Sequence, residues 1–308
     1  MNARSHFRCP RVDAAWLASH PLPALDPTGD KQIRGHVLVI AGGRDMPGAA
    51  VLASMAALRA GGGKLTVMTS AQTATGIGVA VPEARVVGGF TVRALRALAL
   101  AAEVSDFGAV LIGPGMTERR HCERLASAAT KLFADTPIIL DAAAMDAGLQ
   151  AGFHGTCLLT PHAGELAGLT GWPKERIVAE PQAAATEAAA HWNMHVLLKG
   201  STTVLATPGG LAWKHESQRP GLATSGSGDV LAGAVAGLLA RGADLVCACA
   251  WATAAHDRCG ERLSQRIGEV GYLAREIVDE IPCAIADLAA AAQRRATRAV
   301  GSSSYTRS

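Results

Sequence analysis

Aromatic side chains are scarce: Phe, Trp and Tyr together make up 4% of the chain. A core without large rings must be filled by small side chains, so the abundant Ala and Gly are expected to let helices lie close on a sheet. An excess of charge of one sign is also missing. Lys and Arg number 29 against 26 Asp and Glu, a formal +3 on 308 residues. The cations are scattered instead of forming a stripe that could track a phosphate backbone, which excludes nucleic acid as the expected partner. No apolar run is long enough to cross a bilayer, Val230 to Ala240 being one of the longest, and the basic start, Met1 to Arg8, has no apolar stretch after it. Neither a membrane span nor a secretory leader is expected. The seven cysteines form no C-x-x-C pair. An odd, unpatterned set argues against a disulfide framework and against structural zinc, so a reducing cytoplasm and no metal held by protein ligands alone are expected. G-x-x-x-x-G-K-[ST] is absent, and so is G-x-G-x-x-G after the first strand, which excludes a P-loop and leaves an ordinary dinucleotide-binding site unsupported.

What is present is a globular composition, 49% hydrophobic and 18% charged, enough for one large α/β domain. Residues 1–33 read as an irregular, proline-rich leader with one short helix near Val12 to Ser19. Residues 34–292 read as a single domain. Residues 293–308, polar and Ser-rich from Thr297 onward, are expected to be disordered. Within the domain, His36 to Ala41 is a β-branched apolar run stopping at Gly42-Gly43, as a buried strand should. Gly48 to Ala60 follows as an Ala-rich helix introduced by Asp45-Met46-Pro47, and Leu65 to Met68 is the next strand. The same pattern places strands at 109–112, 137–140, 156–159 and 195–198, with helices between most of them. Alternation of this kind implies a mostly parallel sheet covered on both faces. Thr202 to Ala206, Pro208-Gly209-Gly210 and Leu211 to Trp213 read as a hairpin at its edge.

Ligands bind open parallel sheets at the carboxyl ends of the strands, and here those ends carry Gly42-Gly43, Gly113-Pro114-Gly115, Asp141, Thr160-Pro161-His162 and Lys199-Gly200. Each alone reads as a turn. Ala223-Thr224-Ser225-Gly226-Ser227-Gly228-Asp229 leads straight into an apolar helix. Its glycines let successive N–H groups converge on an anion, and the helix start adds orphan donors and the positive end of the dipole, so Gly226, Ser227 and Gly228 are expected to form an anion hole. Asp229, at or near the N-cap, is expected to be ionised at neutral pH and able to accept a proton, as phosphoryl transfer to a hydroxyl requires. The plain alternative for such a loop is an Asp N-cap. Lys199 suits either a phosphate contact or a solvated surface, and His162 either a ring turned into the cleft or a structural histidine. Glu165, in a first helical turn, reads as a cap and not as part of the site.

Taken in order, Gly42-Gly43 with Asp45 to Ala50, Arg59-Ala60-Gly61, Ile112 to Gly115, Leu140-Asp141, Leu159 to His162 with Gly164-Glu165, Leu198-Lys199-Gly200 with Thr203-Val204, and Leu222 to Leu231 resemble the ribokinase-like superfamily. More narrowly they resemble the ADP-dependent (S)-NAD(P)H-hydrate dehydratases. The resemblance runs from about Arg34 to Ala290, and the Thr-Pro-His-x-Gly-Glu and Lys-Gly-x-x-Thr-Val segments are its most specific parts. It implies a ribokinase-like α/β fold and repair of hydrated NADH and NADPH with ADP or ATP as co-substrate and Mg2+ beside it. Lys199, Gly200, Ser201, Thr202, Thr203 and Gly228 would contact the nucleotide. Ala50, Gly115, His162 and Asp229 would contact the hydrate, with Asp229 as catalytic base. A homo-oligomer is implied, as is a separate NAD(P)H-hydrate epimerase, since relatives often carry that domain fused and this chain is expected to lack it. Departures fall at Ala143, where an acidic residue is common after the strand, at Ala163, where a second proline is common, and at Glu216 to Gly221, which lacks the usual asparagines. The alternatives are a ribokinase-like kinase for a vitamin-precursor alcohol and a non-catalytic nucleotide sensor.

Overall fold

The computed structural model describes residues 9–28, 34–100, 107–151, 156–210 and 212–303. In chain order the first half comprises α1 (Ala14–Ser19), β1 (His36–Ile40), α2 (Pro47–Arg59), β2 (Lys64–Thr69), α3 (Ala74–Ala80), β3 (Arg85–Gly88), α4 (Val92–Leu100), β4 (Phe107–Ile112), α5 (Arg119–Leu132), β5 (Ile138–Leu140) and α6 (Ala143–Ala151). The second half comprises β6 (Cys157–Leu159), α7 (Ala163–Thr170), α8 (Lys174–Ala179), α9 (Pro181–Trp192), β7 (His195–Leu198), β8 (Thr202–Ala206), β9 (Ala212–Glu216), α10 (Ser227–Ala240), α11 (Leu245–Arg266) and α12 (Ala274–Ser303).

The strands form one nine-stranded sheet in the order β3-β2-β1-β4-β5-β6-β7-β8-β9. All pairs from β3 to β7 are parallel, while β8 and β9 are antiparallel and make the expected edge hairpin. The pleat divides the apolar side chains between two cores. Val37, Val39, Val67 and Leu111 face α2, α10 and α11, whereas Leu38, Ile40, Val110 and Ile112 face α5 and α9. Both faces are therefore covered, as the near-continuous apolar strands required. The edge strand β3 was not anticipated, because Arg85–Gly88 is half exposed and carries no apolar run.

Small-residue packing is most evident where α10 crosses α2. A Cβ on Gly233 would sit 2.1 Å from the Ala53 carbonyl oxygen, and one on Gly237 2.2 Å from that of Ala57. Two glycines four residues apart thus let the helices meet backbone to side, where Ala53, Ala56 and Ala57 are wholly buried. That contact fixes the start of α10 over the sheet.

One expectation about the ends is corrected and one is extended. The leader contains the expected helix and is otherwise irregular where described, and it packs onto the domain: Leu17 is 1% exposed and the Val12 N–H donates to the Lys214 carbonyl at 2.9 Å, shielding the edge strand β9. Residues 293–303, expected to be disordered, continue α12, whose Ala-rich sequence favours a helix in spite of Pro282. Residues 304–308 lie outside the described residues.

Candidate active site

The strand order reverses between β2-β1 and β4, the place where open α/β sheets bind ligands. There the loops after β1 and β4 are zipped together: Gly42 N–H donates to Pro114 O at 2.8 Å and Gly43 N–H to Gly115 O at 2.9 Å. Gly115 adopts φ +67°, and a Cβ on it would lie 2.4 Å from Met46 O, so only glycine allows this approach to the start of α2. Gly115 is buried here, and Ala50, part of the core under α2, has no exposed surface. Ala50, expected to touch the hydrate, is therefore enclosed, and a ligand arriving at this corner meets the exposed Pro47 and Gly48 first.

The glycine loop ends at Gly226, the N-cap of α10, with φ +88°. Asp229 is consequently the third residue of the helix and not its N-cap. The Ser227 N–H turns back to Thr224 O at 3.2 Å. The N–H groups of Gly228 and Asp229 have no protein acceptor among the described residues, so the expected anion hole of Gly226, Ser227 and Gly228 loses the Ser227 N–H and gains that of Asp229 at the positive end of the dipole.

Lys199 reaches the same point from across the sheet. Its N–H donates to Pro161 O at 2.7 Å, extending the pairing of β6 with β7 so that His162 and Lys199 stand side by side. The Lys199 Nζ lies 3.0 Å from Asp141 Oδ1 and 4.0 Å from Glu165 Oε2, and a Cβ on Gly228 would lie 3.2 Å from it. Asp141 is 3% exposed and also accepts from Thr160 Oγ1 at 2.6 Å. Burial works to lower the Lys199 pKa, but the charges of Asp141, Glu165 and Asp229 outweigh it and hold the ammonium charged.

Asp229 shows the reverse balance. Burial, then the negative charge of Asp141, raises its carboxyl from 3.8 to about 6; Lys199 opposes this and Glu165 adds to it. The dipole was expected to favour the charged form, yet desolvation and two neighbouring carboxylates prevail. The result is a carboxylate still mostly ionised at neutral pH and basic enough to take a proton.

His162 is the N-cap of α7 in a reciprocal box: its Nδ1 accepts from Glu165 N–H at 3.1 Å, while Glu165 Oε2 accepts from His162 N–H at 2.8 Å. The ring stays largely exposed, with Nδ1 occupied and Nε2 left to carry the hydrogen. Glu165, read from sequence as a cap alone, does cap, but it also stands beside Lys199 and bears on Asp229.

A cavity of about 700 Å³ opens next to these groups, large enough for a nucleotide. His162, Lys199, Gly200, Ser201, Thr203, Ser227 and Gly228 line it; Thr202, Gly226 and Asp229 do not, Asp229 being the next residue after Gly228. The Thr203 hydroxyl donates to Gly200 O at 3.1 Å and so shapes the turn. Thr253, His256 and Asp257 of α11 form part of the wall. None of these three was found from sequence, since they belong to no local motif. Asp141 was noted only as a strand end, and its pairing with Lys199 joins residues 58 apart in the chain. The three departures are absorbed locally: Ala143 and Ala163 open α6 and α7, and in the segment before Gly221 the Ser217 hydroxyl donates to Asp257 while Arg219 pairs with Glu261.

Most of the chain is similar to known proteins. A family model described as NAD(P)H-hydrate dehydratase matches residues 37–283, which takes in every loop just described. An ADP-dependent (S)-NAD(P)H-hydrate dehydratase of Xanthomonas campestris pv. campestris is 44% identical over 277 residues, covering 88% of this chain and 94% of that protein. Among solved structures, the ADP/ATP-dependent NAD(P)H-hydrate dehydratase of Bacillus subtilis, co-crystallized with ATP and Mg2+, superposes with a TM-score of 0.81 at 31% identity over 92% of this chain and 99% of that one. A ribokinase-like superfamily protein of Enterococcus faecalis superposes at 0.78 with 25% identity, covering 94% and 99%. The fold is ribokinase-like, and the chain belongs to the NAD(P)H-hydrate dehydratase family.

Proposed function

We propose that this protein restores NADH and NADPH from the S epimer of their hydrates, using ADP as phosphoryl donor and releasing AMP and phosphate. The observation that carries the reading is the junction at the start of α10. A carboxylate with its pKa raised to about 6, two uncommitted N–H donors and a charged lysine converge beside a nucleotide-sized cavity.

Water is a poor leaving group and phosphate a good one, which is why a dehydration consumes a nucleotide. Asp229 takes the proton of the ring hydroxyl as its oxygen attacks the terminal phosphorus of ADP, and the bond from that phosphorus to the bridging oxygen breaks to release AMP. The N–H groups of Gly228 and Asp229 and the Lys199 ammonium face the charge that builds on the transferred group. The lone pair of the ring nitrogen then expels phosphate to leave an iminium, and loss of a proton from the adjacent ring carbon to the departing phosphate restores the dihydronicotinamide. With a pKa of about 6, Asp229 is roughly nine-tenths ionised at pH 7 and close to the operating pH, where a general base works best. The exposed His162 side chain lines the cavity, which supports its reading as a contact of the hydrate.

Magnesium enters as companion of the nucleotide. Among the described residues no three His, Cys, Asp or Glu side chains converge as a metal site. Glu165, partly exposed beside Lys199, is the carboxylate that would touch an ion carried by the phosphates, whereas Asp141 is committed to Lys199 and Thr160. When bound, the ion supplies charge neutralisation at the phosphates.

Among the described residues no helix is long and apolar enough to cross a membrane. A homo-oligomer in the cytoplasm, supplied with the S epimer by a separate epimerase, completes the reading. Incubation of the purified protein with S hydrate, ADP and Mg2+ tests it: the near-ultraviolet absorbance of dihydronicotinamide returns. A kinase that stops at phosphorylation instead accumulates a stable phosphate ester with no absorbance gain, and the same assay with ATP decides the nucleotide preference.

A further inference from the structure

Ser227 opens α10, is 5% exposed and lines the cavity, yet its N–H is spent on Thr224 O. What it can still offer a phosphate is its hydroxyl. The Ser227 Oγ lies 2.9 Å from Nε2 of His256, a residue of α11 set 29 positions later. Burial pushes the imidazole down to about 4, with the charge of Asp257 and the Ser227 main chain working the other way and those of Lys199 and His215 adding to the fall. At neutral pH the ring therefore carries a single hydrogen, and one ring nitrogen donates while the other accepts. If Nε2 accepted, the Ser227 hydrogen would be consumed by the ring and only lone pairs would face an anion. If Nε2 carries the hydrogen, the ring donates to Oγ and the hydroxyl hydrogen is free to point into the cavity.

We infer that His256 is a positioning residue which, as the Nε2–H tautomer, donates to Ser227 Oγ and thereby turns the Ser227 hydroxyl into a third donor to the transferred phosphoryl group. The inference rests on the reading of the loop as a phosphate cradle. It makes the cradle two main-chain donors plus one oriented hydroxyl, and it gives a role to a histidine outside every motif of the sequence. A neutral ring suits this task, because it donates steadily across the pH range in which Asp229 must be ionised.

Two measurements test it. Long-range nitrogen–proton NMR on 15N-labelled protein, with His256 identified by its loss in His256→Gln, reads the tautomer directly and does not depend on turnover. The Nε2–H form, with and without ADP, is expected; the Nδ1–H form overturns the inference. In kinetics, Ser227→Ala lowers kcat/KM for ADP by about 10- to 100-fold, the range for a hydrogen bond to a charged group, with little change in the KM for hydrate. His256→Leu gives the same loss, the double variant is no worse than either, and His256→Gln, whose amide N–H reaches the Nε2 position, recovers most of the rate. A His256→Leu loss that adds to that of Ser227→Ala, or that falls on the hydrate KM, overturns it. Should His256→Leu fail to fold, the tautomer and the Ser227→Ala kinetics decide. If the wild-type protein restores no dihydronicotinamide, the proposed function fails, and the tautomer still reports separately on the His256–Ser227 pair.

Discussion

Asp229→Asn separates the catalytic role of this carboxylate from its cost to the fold. The native environment raises its pKa from 3.8 to about 6. Between those two values the folded state holds a proton that the unfolded state has lost, so stability falls as pH rises through this window. Above it the penalty is complete, at about 3 kcal/mol from 1.36 kcal/mol per pKa unit. Asn keeps the volume and never ionises, but it withdraws one of the negative charges facing Lys199, so a net gain of about 2–3 kcal/mol, or roughly 4–8 °C in melting temperature, is expected at pH 8. The gain shrinks toward zero near pH 4. Turnover falls by about 10²- to 10⁴-fold, as loss of a general base implies, with nucleotide affinity nearly unchanged. Thermal melts at pH 8 and pH 4, together with initial rates, check all three. A variant that melts no higher than wild type at pH 8, or that gains equally at both pH values, would refute the account of why Asp229 is basic.

In wild type, kcat/KM is expected to fall tenfold per pH unit below about 6 as Asp229 takes up its proton. Asp141→Asn removes a charge that raises the Asp229 pKa, so this acid limb moves to lower pH in a pH–rate profile. Lys199→Met removes the opposing charge and moves the limb to higher pH, with kcat/KM for ADP reduced by about 10- to 100-fold. Gly233→Ala forces a methyl group to within 2.1 Å of Ala53 O and costs at least about 2 kcal/mol in urea unfolding, or abolishes folding.

The strands and the loops at their carboxyl ends were legible because local patterns carry them. β-branched runs end at Gly42-Gly43, Gly113-Pro114-Gly115 and Lys199-Gly200, and the glycine loop opens an apolar helix. The electrostatics were not legible. Whether Asp229 sits above or below its ordinary pKa depends on Asp141 and Glu165, which reach it only once β5 and β6 lie between β4 and β7. Ala50 lies on the face of α2 that packs into the core, and the zipping of the β1 and β4 loops beside it joins residues far apart in the chain, a contact without any sequence signal. His256 belongs to no local motif, and only the fold reveals its partner, Ser227, 29 positions earlier. The helical tail was missed because a Ser-rich ending masked the Ala-rich helix leading into it.

The central claim is that the ring hydroxyl leaves as phosphate and not as water. Hydrate labelled with oxygen-18 at that hydroxyl, turned over with ADP, tests it by mass analysis of the products. One labelled oxygen in each released phosphate is predicted. Label recovered in water, with unlabelled phosphate, would contradict the account.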